Sequence, residues 1–218
     1  MIKKCLALAL LSLSAAAQSA TLSGTYTVDD YATVYLSTDL LADNSEIISD
    51  KPLELSGSGL PIGWMTPAFF ADVALVPGQS YYLLVHAQNF ALASSPAMFV
   101  GEFDITGSGF VFGNGQQRLL TNTTDWMVNE TGFDAPSETP FSAGDNTGWF
   151  PKTGGFDGIA AEAQMIWPYE ANFATGYGGS AYFIAQITAV PEPETAFMLL
   201  AGLGLIGSIA RRKASIAC

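Results

Sequence analysis

The stretch TYTVDDYATVYLST, Thr25–Thr38, sets Tyr26 and Val28 before the acidic pair Asp29-Asp30 and Tyr31, Thr33 and Tyr35 after it. Within each set the aromatic and β-branched residues recur every second position, which is the repeat of a β-strand with alternating faces. The pattern reads either as two strands meeting at an acidic turn or as one strand with a bulge there. Working outward, Phe69–Val76 and Tyr81–Gln88 flank Pro77-Gly78, which favours a tight turn and antiparallel neighbours. Met98–Ile105 and Ser180–Thr188 are further strands, and Asn114-Gly115 and Gly154-Gly155 mark further turns. Nowhere between Thr21 and Ala189 does a helical period last three turns. Many short strands with Gly and Pro punctuation predict an all-β chain folded as a single two-sheet β-sandwich, with a jelly roll the natural version at this size. There are no internal repeats, and only the few residues around Pro191 look like a linker.

Charge narrows the partners. Between Thr21 and Ala189 the basic residues are Lys51, Arg118 and Lys152 against 18 acids, so the net charge is 3 − 18 = −15. Such a body repels phosphate backbones, and nucleic acid is excluded as a partner. The two cysteines, Cys5 and Cys218, lie at the ends. Cysteine therefore supplies the body with no disulfide, zinc site or nucleophile.

The ends explain most of the remaining basic residues. Lys3 and Lys4 precede an apolar run, Cys5–Leu13, and small residues follow it. This is the layout of a signal peptide over 1–20, cleaved after Ala17 or Ala20. At the other end Pro191-Glu192-Pro193 precedes sixteen uncharged residues, Thr195–Ala210, and then Arg211, Arg212 and Lys213. As a helix, 195–210 would rise roughly 24 Å, slightly short of a bilayer's hydrocarbon core. Its basic cluster, 211–213, and the short end 214–218 would stay cytoplasmic by the positive-inside rule, with everything upstream outside. The glycines of Gly202-Leu203-Gly204-Leu205-Ile206-Gly207 match a dinucleotide fingerprint by letter, but no strand precedes them and no acid follows.

A Pro-Glu-Pro turn, a short Gly-rich apolar segment and a terminal basic cluster, in that order over 190–213, resemble the PEP-CTERM protein-sorting signal of Gram-negative bacteria. The resemblance implies that Pro191, Glu192 and Pro193 are read by an exosortase, an integral-membrane processing enzyme. It further implies an inner-membrane-anchored precursor that passes to the cell surface or extracellular matrix, and an association with exopolysaccharide and biofilm or floc formation. The alternative is a plain tail anchor that is never cut.

The 21–189 body also resembles the galactose-binding-like (discoidin-type) β-sandwich modules of secreted bacterial proteins. VDDYATVYLS, LVPGQSYYLLVHAQN, TDWMV, GFDGIA, IWP and AYFIAQI carry the likeness, which departs at Ser37-Thr38-Asp39, where Asn-Gly is usual. Such modules often hold a structural calcium. Asp29, Asp30, Asp43 and Asn44 offer the hard oxygen ligands Ca²⁺ prefers, without the spacing of an EF-hand, and the competing reading is solvated turn carboxylates.

Catalytic constellations are poorly supplied. His86 is the one histidine and reads as a strand residue hydrogen-bonded at a sheet surface. Glycoside hydrolysis needs two facing carboxylates, and 18 scattered acids single out no pair. Trp149 and Trp64 are the candidates for a sugar-stacking platform, with Trp126 and Trp167 assigned to the core. The expectation is a non-catalytic module binding an extracellular glycan. The rival is a purely structural acidic surface protein, with buried tryptophans, and a glycan-active enzyme comes third.

Overall fold

The computed structural model describes residues 19–41, 45–54, 56, 57, 59, 62–90, 97–148, 154–169, 179–191 and 202. The expected signal peptide up to Gln18, with Ala17, and the expected membrane helix 195–210, apart from Gly202, lie outside these residues. So do Glu192, Pro193 and the basic cluster Arg211, Arg212 and Lys213.

Twelve strands are described: β1 (Thr21–Val28), β2 (Tyr31–Ser37), β3 (Glu46–Lys51), β4 (Ala68–Ala74), β5 (Tyr81–Asn89), β6 (Phe99–Thr106), β7 (Phe110–Phe112), β8 (Arg118–Leu120), β9 (Met127–Asn129), β10 (Phe141–Asp145), β11 (Gln164–Trp167) and β12 (Gly179–Ala189). They form two antiparallel sheets. The first runs β10-β11-β6-β1-β4 with β8 also on β6, and the second runs β3-β2-β5-β12-β7 with β9 also on β12. The acidic pair Asp29-Asp30 is thus a junction between two strands and not a bulge, and β1 and β2 belong to different sheets.

Only β2–β3 and β10–β11 are chain neighbours that pair; every other connection between described strands crosses from one sheet to the other. This corrects the expected pairing across Pro77-Gly78. The turn forms, with Gly78 at φ 81° and the Gln79 amide donating to the Val76 carbonyl at 3.2 Å. Yet β4 stops at Ala74 and β5 starts at Tyr81, and they lie in separate sheets. A hairpin on this turn would bring the strands to its edge. Here Leu75 is instead drawn into the core, its amide donating to the Ala20 carbonyl at 2.9 Å, and the remaining residues bridge the ~10 Å between layers.

The inward faces of both sheets make the main core. Phe99 of β6 meets Phe183 of β12 across the layers at 4.9 Å, Trp126 stands edge-on to Phe99, and Trp167 packs on Phe183. Trp126 is fully buried and donates its indole N–H to the Leu120 carbonyl at 3.1 Å. Gly24 admits the rings of Phe103 and Phe70 on its flanking strands: a Cβ there would lie 2.5 Å from one and 2.9 Å from the other.

The outer face of the first sheet carries a second apolar cluster of Met98, Val100, Phe156, Ile159, Ala163 and Met165, with Trp64 packed against it. The loop carrying Phe156 and Ile159 is tied down by Asn146, which is 1% exposed. Its amide donates to the Ile159 carbonyl at 2.8 Å and accepts from the Phe156 amide at 3.0 Å. Glu102 of β6 adds a second tie, accepting from the Ala160 amide at 2.7 Å while pairing with Arg118 at 2.6 Å.

Candidate functional site

The second sheet turns a different outer face to its surroundings. Because β5 pairs with β12 on one side and β2 on the other, cross-strand register lines up Tyr182, His86 and Thr33, and β9 and β3 extend the row to Asn129 and Asp50. One step along, Ile184, Leu84 and Tyr35 form the next row. Alternation sends their chain neighbours Phe183, Val85 and Val34 into the core.

His86 and Tyr182 stack face to face, with ring centroids 4.4 Å apart and planes 5° from parallel. Phe133, from the loop after β9, is buried on Leu84 and Ile184 and stands nearly perpendicular to both Tyr182 (5.2 Å, 89°) and Tyr35 (5.9 Å, 75°). Asn129 sets this loop: its side-chain oxygen accepts from the amides of Thr131 and Gly132, each at 2.9 Å. That local bond is the Asx-type turn for which asparagine is suited.

These rings line a half-open pocket of about 260 Å³, together with Leu40, Leu41, His86, Gly132 and Asp134. Its walls are aromatic and its polar groups few, as in small-molecule sites. His86 Nε2 is buried and has no hydrogen-bond partner among the described residues. Burial lowers the imidazole's pKa from its ordinary value, because a buried charge loses solvation, so the ring is neutral at pH 7. Burial likewise raises that of the Tyr35 phenol, which stays protonated. The site offers aromatic surface and a solvent-exposed carboxylate, Asp134.

The residues singled out from sequence fall elsewhere. Trp149, Asp43 and Asn44 lie outside the described residues. Trp64 is half-buried in a short 3-10 turn, Gly63–Met65, against the first sheet's outer cluster and away from the cavity. Asp29 and Asp30 are fully buried and not solvated turn carboxylates; one Asp30 oxygen accepts from the Phe90 amide at 2.8 Å. Among the described residues no group of three or more His, Cys, Asp or Glu is placed to hold a metal. His86 sits at a sheet surface as expected, but stacked on Tyr182 instead of hydrogen-bonded through Nε2. The sequence reading missed Tyr35, Phe133 and Tyr182. The alternation Tyr31, Thr33, Tyr35 signalled one shared face, but nothing local signalled its pairing with His86 and Tyr182.

At the chain's other landmark, β12 ends at Ala189, whose amide donates to Ser80 Oγ at 3.2 Å; the Val190 amide donates to the Gly109 carbonyl at 2.8 Å. Pro191, exposed, is the first residue past these anchors. Residues 189–214 match the PEP-CTERM protein-sorting motif. The PEP-CTERM motif marks an exported protein with a membrane-anchored precursor, processed by an exosortase-type enzyme. The match begins at Ala189, the last residue of β12. Among the described residues no helix is long and apolar enough to cross a membrane. No curated protein and no solved structure matches the chain.

Proposed function

We propose that this chain is an exported protein whose sandwich works outside the cell, at the surface or in the extracellular matrix, as a non-catalytic module that binds exopolysaccharide or another extracellular glycan. The motif supports the sorting half of this reading. The observation that carries the binding half is the aromatic cavity over His86, because a sugar presents a CH face to aromatic rings and hydroxyls to a few polar atoms. The crossing connections between sheets are compatible with the jelly-roll, galactose-binding-like reading of the body. No catalysis is proposed, since one histidine without a second base or a body cysteine is a poor basis for it.

In this scheme the leader is cut after Ala17. Ala20 is 1% exposed and its carbonyl accepts from Leu75, so cutting after Ala20 would remove a core residue and its bond. The Pro-Glu-Pro segment is then gripped in extended form, which both prolines favour. The purely structural reading keeps one observation in its favour, the burial of Trp126 and Trp167.

Retention of the secreted protein on exopolysaccharide from its source, compared with a Tyr182→Ala variant of verified fold, separates the two. Loss of retention in the variant supports binding at the cavity, and wild-type protein that is never retained overturns it. Adding a chelator tests the structural calcium proposed at Asp29, Asp30, Asp43 and Asn44: unchanged retention and melting temperature would remove that proposal. Replacing Pro191 and Pro193 by Ala should leave uncut precursor in the membrane, and normal maturation would refute processing at this motif.

A further inference from the structure

We propose that the cavity selects a single amine-bearing sugar residue, a deacetylated amino sugar held as its ammonium form, with Asp134 as the charge partner. This rests on the glycan reading above and narrows it to a chemical class.

Size comes first. About 260 Å³ lies just below the ~300 Å³ at which pockets for drug-sized ligands begin, which suits one ring and not a chain of them. The inventory of polar groups comes second. A carboxylate only accepts hydrogen bonds, and Asp134 supplies one at the pocket's lining. None of the lining residues is a cation. An ammonium group brings the donors and the charge that these groups lack.

The surroundings point the same way. Tyr and Phe faces attract cations through their ring quadrupoles. Asp50 stands on the same face, two strands from His86, and accepts from Thr33 Oγ1 at 2.9 Å. The nearest basic side chain in the sheet, Lys51, is turned away and donates to the Gly63 and Thr66 carbonyls. Arg118 is paired with Glu102 on the other sheet. A uronate would set its carboxylate against Asp134 with no cation to receive it. A neutral hexose would fill the space and leave Asp134 without a counterion.

The test is calorimetric titration of the full-length chain, in a detergent without a sugar headgroup, with methyl glycosides of glucosamine, glucose and glucuronic acid and their galacto counterparts. Within one configuration the aminoglycoside should bind about tenfold more tightly than the neutral glycoside at low salt, a preference that shrinks as ionic strength rises. Asp134→Asn should bring the two within about twofold of one another, chiefly by weakening the aminoglycoside. Neutral glycoside or uronide binding as tightly as the aminoglycoside would overturn charge selection and leave the glycan reading standing. Absence of binding by all of them would remove both.

Discussion

The two outer faces of this sandwich begin from similar material and end differently. On the first sheet, Met98, Val100 and Met165 are covered by a loop whose backbone is held by Asn146 and Glu102. On the second sheet, Leu84 and Ile184 are covered by Phe133, with Tyr35, Leu40, Tyr82 and Tyr182 packed around them, and beside them a cavity opens over His86. Polar side chains on the sealed face have partners that fasten the loop. On the open face the buried His86 Nε2 has none, which costs the fold stability.

This contrast can be broken most forcefully on the sealed side. Asn146→Ala removes the bonds holding the Phe156–Ala160 loop and should destabilise the fold by about 2–3 kcal/mol in urea unfolding, with faster proteolysis of that loop. Glu102→Gln keeps the shape but weakens the ties to Ala160 and Arg118, and about 1 kcal/mol is expected. On the open side the sign changes. His86→Phe keeps a flat ring against Tyr182 and removes a buried, unpartnered nitrogen, so stability should be unchanged or rise by up to about 1 kcal/mol. Equal losses for Asn146→Ala and His86→Phe would abolish the distinction between the faces.

A pH series sharpens the same point with a smaller effect. Burial lowers the folded-state pKa of His86, so below about pH 6.5, where a free imidazole takes up a proton, the unfolded chain binds more protons than the folded one. Stability from this group is therefore present above pH 6.5 and lost as pH falls toward the lowered value. The melting temperature of wild type should fall more steeply than that of His86→Phe between pH 7 and pH 5. Smallest of all, Asp134→Asn should leave the melting temperature within error, because its carboxylate is exposed.

Residue by residue, the strands were legible where alternation was strong. The expected Tyr81–Gln88 and Ser180–Thr188 are β5 and β12 extended by one residue at one end or both. Their pairing was not legible. Pro77-Gly78 makes its turn, yet whether the next strand folds back beside the last or crosses to the opposite sheet depends on which residues around the turn are buried. Leu75, drawn inward and bonded to Ala20, decided for the crossing.

Trp64 and the cavity show the same limit at the level of the site. An isolated tryptophan is a reasonable guess for a sugar platform, but Trp64 found an apolar cluster to cover. The face that remained open is built from Tyr35, His86 and Tyr182, which lie far apart in the chain.

By itself, then, the sequence determined the alternation that makes this chain all-β and its acidic balance. It also determined the sorting segment, whose meaning lies in a contiguous order of residues that an enzyme can read along an extended strip. The tertiary structure alone decided which strands meet and therefore which face is sealed and which is open. The physical reason is register: a strand shows its own two faces locally, but the neighbours on each face come from distant strands, fixed only when the whole core packs.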